Sequence, residues 1–306
     1  MDIRTIQKND YIAKINLSLG ANCISLRNKE YKATIIREPD YSNEIDNPYI
    51  YGMPILFPVN RISNGSFEFE GRIYKFPINE VETGCHVHGI LHQQKFDLVE
   101  LTDNRIVCCF SAEKNQYLDF PHEFEIKITY ELSENGMEQT TEVTNRSNTN
   151  MPCLIGFHTT FNLLFIDKTQ KEGIEIFADI SKEYVRSKKN YLPIEIRHCF
   201  DDVSKKISTG KFNPFNYPVS RHYRINDEGQ MRISDIESRL SVVYENSRNL
   251  GYRLILTDGN EYICMEPQNC LVDSPNSVFG RHEAGFEYIE PGGTARYVSK
   301  IYLVQF

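Results

Sequence analysis

Tryptophan is absent from this chain of 306 residues, and no apolar run approaches the roughly 20 residues that a bilayer-spanning helix needs. No apolar signal-peptide core follows Met1-Asp2-Ile3-Arg4-Thr5, which predicts a soluble, cytosolic protein without membrane partners. Positive charge is in deficit. Lys and Arg total 34 against 42 Asp and Glu, a net charge of -8, which argues against nucleic acid as a partner. Glycine-rich phosphate loops are missing, both GxGxxG and the Walker type, and so is the GxSxG elbow of serine hydrolases. The eight cysteines form no CxxC. In a long chain without a secretion signal they read as small apolar fillers rather than a disulfide framework. Cys108 and Cys109, adjacent on a strand, would face opposite ways.

What is present favours strands. Tyr and Phe supply 18 residues each, among many Ile, Thr and Val. From Phe124 to Leu132, apolar residues alternate with Glu125, Lys127, Thr129 and Glu131, the period of a half-buried strand. Asn135-Gly136 supplies a hairpin turn, and Met137 to Val143 returns. Tyr11 to Leu17, Phe67 to Phe76 around Gly71, Leu240 to Tyr244, Tyr252 to Thr257 and Tyr297 to Val304 are further strands. Ile180 to Lys188 reads as a short helix, and Glu290-Pro291-Gly292-Gly293 as a type II turn. No linker or internal repeat divides the chain. The expectation is one all-β domain over residues 1–306, a large antiparallel β-sandwich.

Three segments carry candidate chemistry. Gly52 to Pro58 is an apolar run closed by Asn60-Arg61, and a hairpin later comes His88-Gly89. Such polar groups at the edge of an apolar core are costly to bury unless paired or facing a polar ligand. His86 and His88 share a strand face, as a metal-binding HxH pair does in cupin-like barrels. The following positions give His92, Gln93 and Gln94 instead of the usual carboxylate. A structural role accounts for His86 and His92. His158, in Gly156-Phe157-His158-Thr159-Thr160-Phe161, reads equally as a satisfied core histidine or a pocket residue. Glu266 closes an apolar strand before Pro267-Gln268, either as a salt-bridge partner of Arg61 or as a base in a cleft.

Taken in order, these segments resemble the aldose 1-epimerases, also called galactose mutarotases. The resemblance rests on Gly52 to Pro58, Asn60-Arg61-Ile62, the Gly65, Phe67, Gly71 and Tyr74 spacing, Pro77-x-Asn79-Glu80, and His88-Gly89. It continues through Gly156-x-His158-x-x-Phe161-Asn162-Leu163, Cys264 to Gln268, Ser274-Pro275-Asn276 and Pro291-Gly292. It implies the supersandwich fold and interconversion of the α and β anomers of a free aldohexose. Glu266 would be the general base at the anomeric hydroxyl and His158 the general acid at the ring oxygen. His88, Arg61, Asn60 and Gln268 would contact the sugar. Neither metal nor other cofactor is implied, since only protons move; the partner is a small sugar, and the protein a monomer or homodimer. The chain departs from the family pattern in places. No acid stands in Tyr217 to Tyr223, where the family carries a sugar-binding aspartate. Phe96 takes a tryptophan position, Thr160 a tyrosine and Ile90 a glycine. Two other readings stay open: a hexose-6-phosphate 1-epimerase, with Arg61, Arg72 or Arg221 near the phosphate, and a sugar-binding or sensing protein without turnover.

Overall fold

The alternating run beginning at Phe124 forms the strand Phe124–Ser133, with Phe124, Ile126, Ile128, Tyr130 and Leu132 all buried. It pairs antiparallel with Gly136–Asn145. Ser133 sits opposite Gly136, so the two-residue loop is Glu134-Asn135, one position earlier than the Asn135-Gly136 turn expected. Gly136 has a different task. Its φ is 126°, and a Cβ there would lie 2.3 Å from the Ile301 carbonyl oxygen on the neighbouring strand. Only glycine admits that approach.

In this computed structural model, which describes residues 1–42, 45–226 and 229–306, the hairpin is the middle of an eight-stranded sheet. Its order is Asp97–Leu101, Arg105–Ala112, Phe124–Ser133, Gly136–Asn145, Thr294–Gln305, Leu240–Asn246, Gln230–Asp235 and Ile174–Ala178. A second large sheet runs Pro193–Arg197, Ile180–Arg186, Val219–Ile225, Tyr252–Thr257, Tyr262–Gln268, Gly156–Phe157 and Ile55–Leu56. Thr159–Asn162 also pairs with Tyr262–Gln268. Ile3–Lys8, Tyr11–Asn16, Asn22–Asn28 and Ala33–Thr34 make a smaller sheet. The pairings among these strands are antiparallel, and the fold is the large antiparallel β-sandwich expected.

Both large sheets contribute to one core. Phe161 meets Tyr244 across it with ring centroids 5.3 Å apart, and the Thr159 and Tyr244 hydroxyls lie 2.9 Å from each other. Strand alternation then places the site. Ile263 and Met265 belong to the core, so Cys264, Glu266 and Gln268 project from the opposite face. Register carries the same alternation outward: Glu266 pairs with Leu254, and Leu254 with His222.

Ile180–Arg186 is a strand, not part of the short helix expected over Ile180 to Lys188. Pairing with both Pro193–Arg197 and Val219–Ile225 overrides the weak local preference. Among the described residues the single α-helix is Asp202–Thr209, capped by the Asp201 side chain, which accepts from the Ser204 N–H at 3.0 Å, and closed by Gly210. The Glu290 to Gly293 turn forms as expected, with the Gly293 N–H donating to Glu290 O at 2.9 Å and Gly292 at φ 71°. The eight cysteines are free thiols; Cys108 is buried and Cys109 half-buried on the other face. No helix among the described residues is long and apolar enough to cross a membrane.

Candidate active site

A cleft of about 650 Å³ opens on the second sheet, within the size range of small-molecule sites, roughly 300–1,000 Å³. Asn60, Arg61, His88, His158 and Glu266 all line it. Chain segments some 200 residues apart are thus brought together. The sharpest contact is His158 Nε2 to Glu266 Oε1, at 3.2 Å, with both side chains almost fully buried.

Backbone geometry places each group. The His158 N–H donates to Pro54 O at 2.9 Å, tying its strand to the Gly52–Pro54 segment. The His88 N–H donates to Asn60 O at 3.1 Å. Both residues lie in the left-handed region, Asn60 at φ 60° and His88 at φ 65°. Non-glycine residues adopt it at a cost that the surroundings must hold, and such positions cluster at functional sites. Gly89 follows at φ 59°, where a Cβ would collide with Phe57 O at 2.0 Å. The glycine of the His-Gly pair thus lets the loop lie against the Phe57-Pro58 backbone.

Glu266 is held from behind. The Gln268 amide donates to its Oε2 at 3.1 Å, and Asn60 Nδ2 donates to Gln268 Oε1 at 3.4 Å. Gln268 therefore orients the carboxyl rather than lining the cleft. Burial pushes the Glu266 carboxyl up to about 8, opposed by Arg186, the Gln268 bond and Arg61. Burial pushes His158 down to about 4. Near neutral pH the pair thus holds one proton, and burial favours the uncharged arrangement with that proton on the carboxyl. His88 is pushed well below the usual imidazole range, by burial first and then by neighbouring His158 and Arg61. Its ring stands edge-on to His158, centroids 5.7 Å apart, and 4.7 Å from the Tyr49 ring.

Arg61 does not pair with Glu266. It forks onto Glu80, Nε to Oε2 at 2.6 Å and Nη2 to Oε1 at 2.7 Å. Burial would raise the Glu80 carboxyl, but Arg61 and the Thr83 hydroxyl hold it below its usual value. The guanidinium also lies 4.6 Å from the Tyr191 ring centroid.

The structural role expected of His86 and His92 is what the contacts show, whereas Arg72 and Arg221, expected near a phosphate in one reading, lie elsewhere. His86 bonds through Nδ1 to Pro77 O at 2.8 Å and stacks on Phe76, so it is structural. His92 packs on Tyr49 at 4.7 Å without lining the cleft. Neither Arg72 nor Arg221 reaches the cleft. Arg72 donates to Pro121 O, and Arg221 is held by Asp201 and Glu183. Phe96 is core. The grouping of metal-capable side chains found among the described residues is His158, Cys264 and Glu266, with donor atoms within 4.8 Å of one another. Burial pushes the Cys264 thiol far above its ordinary range.

The sequence did not point to Tyr49, Tyr191, Arg186 or Ser220, which also line the cleft. Reading Ile180 to Lys188 as a helix hid Arg186. As a strand, Tyr184 and Arg186 fall on one face, two residues apart.

The site is thus a buried imidazole–carboxyl pair in an open cleft on an antiparallel β-sandwich. The aldose 1-epimerase profile matches residues 2–285, and the chain belongs to that family. A galactose mutarotase-like protein from Clostridium acetobutylicum superposes with TM-score 0.92 at 29% identity, over 99% of this chain and 95% of that one. A GalM/aldose epimerase homologue from C. elegans superposes with TM-score 0.78 over 99% of each chain; at 15% identity it speaks for the fold alone. Protein LacX of Lactococcus lactis subsp. lactis is 26% identical over 177 residues. That match spans 56% of this chain and 56% of LacX, little more than half the length of the curated relative.

Proposed function

We propose that the protein is an aldose 1-epimerase that interconverts the α and β anomers of an aldohexose. The observation that carries this reading is the 3.2 Å contact between His158 Nε2 and Glu266 Oε1 at the cleft floor. In the productive ionisation, Glu266 is a carboxylate and His158 an imidazolium. Glu266 takes the proton of the anomeric hydroxyl, O1 becomes a carbonyl oxygen, the C1–O5 bond breaks, and His158 gives its proton to O5. The pair is then Glu266 protonated and His158 neutral. Rotation about C1–C2 presents the other carbonyl face. O5 attacks C1 as His158 takes back its proton and Glu266 returns one to O1.

The pair carries one proton at every stage. The uncharged arrangement that burial favours is the one required beside the open-chain sugar. Arg186, Gln268 and Arg61 pull Glu266 back toward its ionised form. Positioned acid–base groups of this kind contribute about 10²–10⁴-fold. Asn60, Arg61 and His88 contact sugar hydroxyls, with Arg61 held in place by Glu80; Gln268 aims Glu266.

The test is polarimetry or one-dimensional NMR on freshly dissolved α-anomers of several aldoses and their acidic derivatives. Accelerated equilibration is the expected result. No acceleration with any of them overturns the assignment.

A further inference from the structure

Arg186 gives or takes no proton in the chemistry just described; its charge only favours the ionised form of Glu266. It ends the strand Ile180–Arg186, is half-buried, and lines the same cleft as His158 and Glu266. The two arginines of the cleft are in different states. Arg61 is neutralised by a two-point bond to Glu80. Arg186 has no carboxylate within 4.0 Å among the described residues, and its hydrogen bond runs from Nη2 to Ser220 Oγ at 2.6 Å. A guanidinium carries five N–H donors in a planar fork. Most of that fork is left uncommitted. The Tyr191 ring, 43% exposed, stands between the two cations, 4.6 Å from Arg61 and 6.0 Å from Arg186.

An uncompensated cation held partly out of water is unfavourable unless something supplies the opposite charge. Burial first and then the charge of Arg61 weaken the Arg186 cation down to about 10, against the opposing pull of Glu266, Tyr191 and Glu183, so it remains charged at neutral pH. Glu183 is itself paired with Arg197 and Arg221. Glu266 does not neutralise it when the one-proton pair keeps that proton on the carboxyl. Ser220 is exposed, and because its oxygen accepts from Arg186 its own O–H is free to donate outward. The rim acids Asp46 and Glu82 also line the cleft but are solvent-exposed, where their charge is screened. A planar fork with an adjacent hydroxyl donor suits a carboxylate, phosphate or sulfonate, which it can bind at two points. A sugar hydroxyl fits the donors but leaves the charge uncompensated.

Resting on the epimerase reading, we propose that the natural substrate is an anionic aldose, its charged substituent held by Arg186 and Ser220 beside Tyr191. The charge must sit on a carbon other than C1, because ring opening requires a free anomeric hydroxyl. A sugar 1-phosphate is therefore excluded, while uronic acids, aldose phosphates substituted elsewhere and sulfonated aldoses remain in the class.

The experiment measures kcat/KM for anomer exchange by NMR on matched pairs. These are glucose with glucuronate, galactose with galacturonate, and glucose with its 6-phosphate and 6-sulfonate analogues. Wild-type protein is compared with Arg186→Gln and Arg186→Lys, each checked for folding by circular dichroism. At least a tenfold preference for one anionic member over its neutral parent is expected. That ratio should fall tenfold or more in Arg186→Gln, chiefly through KM, and recover in part in Arg186→Lys. It should also fall as salt rises, a readout that stands even if a variant fails to fold. Which pair shows the preference distinguishes carboxylate from phosphate and sulfonate. Faster turnover of every neutral parent overturns the proposal and leaves the epimerase reading standing. So does an unchanged ratio in Arg186→Gln with only a shifted pH profile, which would make Arg186 a residue acting through Glu266. No exchange with any sugar overturns the underlying reading itself.

Discussion

The two large sheets share a core, yet they treat polar side chains in opposite ways. On the sheet built around Phe124–Ser133, polar residues of the solvent face pair in the open, Lys127 with Glu142 at 2.5 Å and Lys300 with Glu138 at 3.1 Å. These are half-exposed ion pairs on neighbouring strands, of a kind worth about 0–1 kcal/mol. On the sheet built around Tyr262–Gln268, the face turned from the core carries Glu266, Gln268 and His222, all essentially buried. There Glu266 and His158 face each other across 3.2 Å, and both ring nitrogens of His222 lack a hydrogen-bond partner in the protein. Burial of such groups costs stability, so a chain retains them where chemistry needs them. One sheet pairs its charges in solvent and the other holds groups away from their preferred protonation states.

That contrast can be broken most forcefully at the pair itself. Glu266→Gln and His158→Asn should each lower kcat by about 10²–10⁴-fold while circular dichroism and thermal unfolding show the fold intact. A smaller loss is expected one bond further back. Gln268→Leu removes the amide donor to Glu266 Oε2, a hydrogen bond to a charged group worth about 1.5–3 kcal/mol. Because that bond lowers the Glu266 pKa, its removal should move the basic limb of the kcat/KM profile, where the one-proton pair loses its proton, to higher pH. An unmoved limb would detach Gln268 from the carboxyl.

Stability should show the same asymmetry in pH. His222, between the rings of Tyr184 and Tyr252 and near Arg186, is held well below its usual value by burial. His92, His122 and His158 are each pushed down to about 4. The unfolded chain takes up protons on these rings below about pH 6.5 and the folded one does not, so stability falls as pH drops through that window. His222→Phe should lessen the fall by up to about 1.4 kcal/mol per pH unit, read from urea midpoints at pH 6.5 and 5.0. The smallest effect belongs to the other sheet. Lys127→Ala should change stability by less than about 0.5 kcal/mol and leave anomer exchange untouched.

The legible parts of this molecule were those where a single strand carries its own pattern. Phe124 to Leu132 alternates so cleanly that its buried set could be read directly. The Gly52, His158 and Glu266 segments stood out because polar groups interrupt apolar runs. What the sequence hid was pairing. Gly136 looked like a turn residue, and its need for close approach depends on Ile301, 165 positions away. Arg61 offered itself to Glu266 but is taken by Glu80, whose carboxyl arrives across a hairpin. Arg186 went unseen because its segment, Ile180 to Lys188, reads as a short helix. Its strand identity comes from partners on both sides, which local sequence does not encode.

The account turns on one carboxyl. The most direct measurement is the rate of anomer exchange, by NMR, for wild-type protein and Glu266→Gln on the sugar the wild type turns over fastest. The account predicts clear acceleration by wild type and a loss of at least about 10²-fold in the variant with the fold retained. Wild-type rates in a folded Glu266→Gln protein would contradict it.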